Sequence, residues 1–450
     1  MPDASPRELT GWGRTAPSAA TVVPVTDASV ALDAVKTAGP RGVIARGLGR
    51  AYGDAAQNAG GTVLDVTALD RVHALDAERG VIDVDAGVSL DTLMRLLVPI
   101  GWFVAVTPGT RYVTVGGAIA SDIHGKNHHV EGTFCQHLES LDLLTADGSV
   151  RTLTPADPEL WATAGGMGLT GVVLRARLQL LPIETSLMQV RTERIGDLDA
   201  LMQAMLDGDA DHRYSVAWID LLARGAAMGR SVLTRGDHAK LDDLPAKKRA
   251  QAKAYGPKPL LKAPALVPGG LLNRWSVAAF NEAWFRKAPV DHTGLESIPA
   301  FFHPLDGVLD WNRIYGPGGF VQYQYVVPDG AEDAVRESVR RISDARIPSF
   351  LAVLKRFGPG NDGPLSFPQP GWTLALDVAT GQDGLAAMCD ALDELVVEAG
   401  GRVYLSKDSR LRPDVLRAMY PRLDEWRATR AALDPRGVFV SDLARRLELT

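Results

Sequence analysis

The chain has 450 residues, 46% of them hydrophobic and 23% charged, with a formal net charge of −6. That length points to two domains, the composition is that of an ordinary globular protein, and the acidic balance excludes a globally basic nucleic-acid binder. Two cysteines, Cys135 and Cys389, exclude a disulfide framework and a cysteine-rich metal site.

Residues 1–20 are polar and proline-bearing, without the apolar core of a signal peptide, and no run approaches the ~18 uninterrupted apolar residues of a membrane span. The expectation is a cytoplasmic protein or one peripheral at the inner membrane, with a periplasmic location as the alternative. From residue 22 to 181, strand-like runs at 42–45, 63–66, 81–86 and 172–180 are rich in branched residues and bounded by Gly or Asp. Ser89 is placed to N-cap a helix through Leu97, with Leu90, Leu93, Met94 and Leu97 on one face. Asp147-Gly148, between 141–146 and 149–153, predicts a hairpin. The pattern is α+β rather than a regular βαβ array.

Two glycine-rich segments about sixty residues apart stand out in this half: Gly42 to Asp54 and Thr107 to His129. Glycines let a backbone turn several N–H groups toward one anion. The spacing is not that of G-x-G-x-x-G, and residues 55–61 form no amphipathic helix. Gly116, Gly117 and Ala118 would let the backbone approach a flat ring closely. Together the segments predict a large phosphate-bearing cofactor. His124, His128 and His129 lack the companion ligands of a zinc site, so no metal is expected.

Beyond Pro182, strand-like runs at 216–221, 319–327, 350–357 and 373–378 alternate with helical runs at 331–345 and 385–400, which predicts an antiparallel sheet backed by helices. Gln322 and Gln324 share one strand face, and paired amides suit sugar hydroxyls as well as a solvated stripe. Lys355 lies on a face with Leu351, Val353 and Phe357. Runs at 402–405 and 414–426 follow. Residues 247–262 carry six cations and no acid, with leucines overlapping and following. This segment, about 237–272, reads as a mobile surface loop or as a lid that meets lipid phosphate and an apolar chain.

The motifs resemble the vanillyl-alcohol-oxidase-type FAD enzymes. More narrowly, the chain is similar to the actinobacterial branch that oxidises the 2′-hydroxyl of a prenylphosphoryl ribose for cell-wall arabinan synthesis. The similarity runs through residues 9–17, both glycine segments, Gly168-Leu169-Thr170-Gly171, Trp311-Asn312-Arg313, Gln322-Tyr323-Gln324, residues 364–368, Lys407-Asp408-Ser409-Arg410 and residues 441–447. It implies a two-domain fold: an FAD-binding domain at 1–185, a substrate domain at 186–401 and a return to the first domain at 402–450. It also implies FAD contacts from Arg46, Gly47, Leu48, Gly49, Arg50, Ala51, Tyr52, Gly53, Gly109, Thr114, Val115, Gly116, Gly117, Ala118 and Ile119. His124, Gly125, Lys126, Asn127, Val173 and Tyr404 complete that set.

Substrate contacts are implied for Trp218, Phe302, Gln322, Gln324, Lys355, Thr373 and Ala375, and catalytic roles for Lys407, His124 and Tyr52. Tyr52 stands where some relatives carry a histidine bonded to the flavin, so the FAD is expected to be non-covalent. Ala375 and Ser121 stand where mycobacterial relatives have cysteines, and Phe302 where they have tyrosine. The resemblance further implies an NADH-dependent keto-sugar reductase as partner and contact with a membrane. A soluble sugar, alditol or aldonolactone oxidase and a non-catalytic flavoprotein partner remain alternatives.

Overall fold

The computed structural model describes residues 6–450 and contains three main sheets. The first has the spatial order Pro6–Leu9, Ser18–Pro24, Thr62–Asp65, Val43–Arg46; its last three strands run parallel. Helix Ala28–Lys36, capped by Asp27, lays Ala31 and Val35 onto Val43 and Leu64. The chain's end returns to this sheet, where the Val43 amide donates to the Val438 carbonyl at 2.8 Å and Arg446 pairs with Asp54 at 2.7 Å.

The second sheet is antiparallel and centres on Val172–Pro182, flanked by Val81–Asp85 and Leu138–Leu144. Leu138–Leu144 turns through Asp147-Gly148 into Val150–Leu153, with Gly148 at φ 85° in the region that favours glycine. Helix Leu90–Leu97 buries the four predicted apolar side chains, and the Ser89 hydroxyl accepts from the Thr92 amide. That amide would otherwise be one of the unpaired donors of the first turn.

The third sheet has eight antiparallel strands: Asp291–Ser297, Leu187–Ile195, Ser231–His238, Tyr214–Ile219, Ala352–Phe357, Gly371–Ala379, Phe320–Pro328 and Arg402–Val403. One face, with Tyr323, Tyr325, Leu354, Leu374 and Leu376, is buried in one core with residues of helices Leu198–Gly208, Glu332–Ala345 and Leu385–Glu398. Alternation along the strands puts Gln322, Gln324, Lys355, Thr373, Ala375 and Asp377 on the opposite face. Arg402–Val403 still pairs with Tyr325 and Val326, and the chain leaves this sheet only afterwards.

Two of the departures from the sequence pattern are helical. The run expected over 414–426 is two helices, Pro413–Met419 and Leu423–Leu433, because Pro421 has no N–H to continue a helix and restricts Tyr420 before it. Helix Arg274–Lys287 is an addition that the pattern did not announce. Part of the basic segment is tied down: Ser186 donates to the Ala252 and Ala254 carbonyls, and Arg95 donates to the Pro257 carbonyl at 2.6 Å.

Candidate active site

The first glycine segment leaves strand Val43–Arg46 as an open loop. Among the described residues, the amides of Gly47, Leu48, Gly49, Arg50 and Ala51 donate to no protein acceptor. Two guanidiniums border them. Arg46 donates to the Thr10 and Ala56 carbonyls, at 2.7 and 3.0 Å, and Arg50 lies 3.8 Å over the Trp12 ring. Neither has a carboxylate within ion-pair distance among the described residues, although burial disfavours both charges. Free amides beside unneutralised cations fit a dinucleotide's phosphates.

The second segment closes against the first. A Cβ on Gly47 would sit 2.2 Å from Thr114 Oγ1, so the two loops touch only because that side chain is missing. Thr114 caps helix Val115–Ala120 by accepting from the Gly117 amide at 3.1 Å, and the Gly116 amide donates to the Ala86 carbonyl at 2.8 Å. Val115, Ala118, Ile119 and Val173 are buried in the core beneath, while Gly109 is open on its outer side. Gly125 is crowded by Asn127, whose amide donates to the Ala105 carbonyl at 2.8 Å. Gly53 lies under the Asp408 carbonyl, and the Tyr52 amide donates to the Ser406 carbonyl at 2.9 Å, which brings the first loop onto residues 404–409.

There Lys407 meets Tyr52, its ammonium 4.0 Å from the ring centroid. The ordinary alternative, a surface pair with Asp408, does not form. Asp408 instead pairs with Arg446 at 2.9 Å and accepts from the Arg410 and Leu411 amides. Lys407 faces the charge of Asp377, a carboxylate on the sheet that accepts from Gln322 Nε2 and from the Tyr315 hydroxyl at 3.2 Å. Burial pushes Asp377 above the ordinary carboxylate range and Lys407 below the ordinary amine range, and each charge opposes the other's shift. Gln322 Nε2 also donates to the Tyr52 hydroxyl at 3.3 Å. Burial holds that phenol well above its usual value, so Tyr52 stays protonated.

At the other end of the face, His124 is flanked by Gln324 Nε2 at 3.1 Å and Lys355 Nζ at 3.4 Å from Nδ1. Burial, then the Lys355 charge, holds this imidazole well below its ordinary value, so it is neutral. A neutral ring carries one N–H. If Lys355 donates to Nδ1, then Nε2–H must donate to the Gln324 carbonyl oxygen, with that amide turned end for end. Lys355 itself is pushed down to about 7 by burial, and next by Lys407 and Lys126. Among the described residues no carboxylate pairs with it. Tyr404 packs near His124 at 5.4 Å and donates to the Ser121 carbonyl at 2.7 Å.

Ala375 stands opposite Gln324, Thr373 Oγ1 lies 3.2 Å from the same Gln324 amide atom that faces His124, and Trp218 stands opposite Val353. Phe302 lies elsewhere: it is buried among Phe103, Tyr214, His238 and Phe301 in the core beside the second sheet. Lys126 donates to the Phe301 carbonyl and lies over that ring. His128 accepts from the Gly358 amide at 3.2 Å, and His129 contacts the His212 carbonyl at 2.8 Å. Asp377 and Tyr315 are the site residues that sequence reasoning missed. The signal for Asp377 was present, since it follows Thr373 and Ala375 at period two on the same strand face.

Comparison with known proteins places this geometry. The FAD binding domain family matches residues 18–154, and the D-arabinono-1,4-lactone oxidase family matches residues 374–447. Decaprenylphosphoryl-beta-D-ribose oxidase of Mycolicibacterium smegmatis is 47% identical over 450 residues, covering 98% of each chain. L-gulono-1,4-lactone dehydrogenase of Mycobacterium tuberculosis is 23% identical over 437 residues, covering 96% of each. The solved structure of Physcomitrella patens BBE-like 1 superposes with a TM-score of 0.66 at 14% identity, over 94% of this chain and 90% of that one, which is a likeness of fold. The chain belongs to the decaprenylphosphoryl-β-D-ribose oxidase family and is an FAD-dependent oxidoreductase.

Proposed function

We propose that this member of the family oxidises decaprenylphosphoryl-β-D-ribofuranose at C2′ to the 2′-keto sugar, the first half of an epimerisation that feeds cell-wall arabinan. The observation that carries the reading is the buried polar face on which Gln322, Gln324, Lys355 and Asp377 of the sheet meet Tyr52, His124 and Lys407 from the cofactor side. FAD, when bound, supplies the acceptor for the hydride that leaves C2′. The glycine segments with Arg46 and Arg50 would hold it, without a covalent bond because Tyr52 offers no imidazole.

The protein's own part is to orient the sugar and take the hydroxyl proton. Tyr52 is held protonated and His124 is held neutral far below its usual value, so neither is a well-matched base. Asp377 is the better match: its carboxylate is raised toward neutrality and stays aligned by Gln322 and Tyr315. Lys407 opposes negative charge that grows at the reacting centre. Gln322 and Gln324 provide amides for the ribose hydroxyls. Lys355, a buried ammonium without a carboxylate, suits the phosphodiester.

A separate NADH-dependent reductase would complete the epimerisation, and a quinone or another acceptor would reoxidise the enzyme. No helix among the described residues is long and apolar enough to cross a membrane, so contact with the lipid-borne substrate would be peripheral. The match of residues 374–447 to lactone oxidases supports a second reading, oxidation of a soluble sugar or aldonolactone. Anaerobic mixing with a prenylphosphoryl ribose should bleach the flavin absorbance. Bleaching by free sugars or aldonolactones alone would overturn the proposal in favour of the second reading.

A further inference from the structure

We infer that residues 257–290 form a docking surface for an anionic lipid bilayer, with helix Arg274–Lys287 as its rigid part. This deepens the lipid-substrate reading and rests on it for the purpose of the surface. Half of the sixteen exposed large apolar side chains among the described residues fall between residues 260 and 290, with Leu266 90%, Leu260 85% and Trp275 70% exposed. Scattered exposed leucines are normal, but a concentration of this kind in so short a stretch marks an interaction site.

The charge around them selects the occupant. Five cations, Lys258, Lys262, Arg274, Arg286 and Lys287, stand against one acid, Glu282, in a chain whose net charge is −6. Basic side chains beside exposed leucine and tryptophan suit anionic headgroups over an acyl boundary, where indole rings prefer to sit.

The helix is held to the protein along its Val277 and Asn281 side, with Phe280 and Trp284 at the edge of that side and Trp275 on the opposite face. Val277 is buried, Asn281 donates to Asp220 at 2.7 Å, Glu282 pairs with Arg230 at 2.7 Å, and Arg230 lies over the Phe285 ring. Phe280 and Trp284, one turn apart, stack with centroids at 6.0 Å and remain exposed. From Phe280 an aromatic row runs inward. Phe280 meets Phe350 at 5.6 Å, Phe350 meets Tyr315 at 5.7 Å, and the Tyr315 hydroxyl donates to Asp377 at 3.2 Å. The aromatic row therefore joins the surface to the Asp377 end of the reaction site.

The test is flotation of the FAD-loaded enzyme with vesicles of phosphatidylcholine and phosphatidylglycerol in equal parts, against pure phosphatidylcholine, without substrate. The expected result is binding to the anionic vesicles that weakens as salt rises. Replacing the two exposed tryptophans (Trp275→Ser with Trp284→Ser) should weaken it roughly tenfold, the scale of withdrawing large apolar side chains from an apolar phase. Flavin reduction by a short-chain, water-soluble prenylphosphoryl ribose should be unchanged in that variant. Equal binding to neutral vesicles, wild-type binding by the double variant, or a dimer that buries both tryptophans in place of vesicle binding would each overturn the inference. Failure of the short-chain substrate to reduce the flavin, with vesicle binding intact, would refute the substrate reading and leave the surface standing.

Discussion

In the glycine segments the binding groups are backbone amides from consecutive residues, and side chains are conspicuous by being small. On the eight-stranded sheet they are side chains drawn from separate strands, Lys355 from one, Thr373, Ala375 and Asp377 from the next, Gln322 and Gln324 from a third. The first construction suits a phosphate-bearing cofactor recognised by position, and a single added carbon would disturb it. The second tunes charge by burial, so its chemistry depends on which groups neutralise each other. Asp377 and Lys407 oppose each other's shift, while Lys355 has no such partner.

The largest effect should follow removal of the carboxylate. Asp377→Asn keeps the shape and an acceptor for Tyr315 but cannot take a proton, so kcat should fall by roughly 10²–10⁴, the range for a lost general base. FAD content should hold. With Asp377 as the proposed base, which would work only when ionised, flavin reduction should decline as pH falls, through a pKa above the ordinary carboxylate range because burial raises it. A wild-type reduction rate in the variant would assign Asp377 to structure alone.

Lys407→Met tests the other member of the pair. It keeps the side-chain volume and removes the charge, and kcat should fall by roughly 10²–10³, as when one preorganised electrostatic donor is lost. Stopped-flow reduction at measured FAD occupancy is the readout. An unchanged rate would move the chemical role to Asp377 without its partner.

Lys355 should behave differently from Lys407, in KM rather than kcat. Its free-enzyme value of about 7 means that the ammonium is present below that pH and is lost as pH rises through it. Affinity for the phosphodiester should therefore be level below about 7 and fall up to tenfold per unit above it, until binding no longer draws a proton. Lys355→Met should raise KM by roughly 10–100-fold, the scale of a hydrogen bond to a charged group, and flatten that pH dependence. A KM that stays pH-dependent in the variant would place the phosphate elsewhere, with Lys126 the next buried cation to examine.

The contrast between the two constructions also explains what the sequence disclosed. The glycine segments, the Ser89 cap and the Asp147-Gly148 turn are written in neighbouring residues, where local sterics decide the outcome. The shared face of Gln322 and Gln324 follows from alternation within one strand. The same alternation put Asp377 on the face of Thr373 and Ala375, but its chemical meaning comes from Gln322 across the ladder and Lys407 some thirty residues later. Strands Leu187–Ile195 and Ser231–His238 were missed because ion pairs such as Arg191–Glu193 and Arg235–Glu193 interrupt the apolar stripe. Helix Arg274–Lys287 escaped notice because its exposed side is apolar too, which removes the contrast that reveals a helix.

The smallest effect belongs to the backbone construction and sharpens the comparison most directly. Gly47 has ordinary φ, so an alanine there is resisted only by space: its Cβ would lie 2.2 Å from Thr114 Oγ1 and 3.0 Å from Cγ2. Thr114 would have to rotate and give up its bond to the Gly117 amide, which loosens the first turn of helix Val115–Ala120. Losing such a cap costs about 1 kcal/mol. Gly47→Ala should accordingly lower Tm by only about a degree in a chain of this length and weaken FAD retention, with kcat per bound flavin unchanged. Thr114→Ala should cost about the same alone, and the double variant should cost less than the sum, because both changes remove the same cap. Full additivity would mean that the two loops do not meet, and that the cofactor half of the site is assembled from two independent turns.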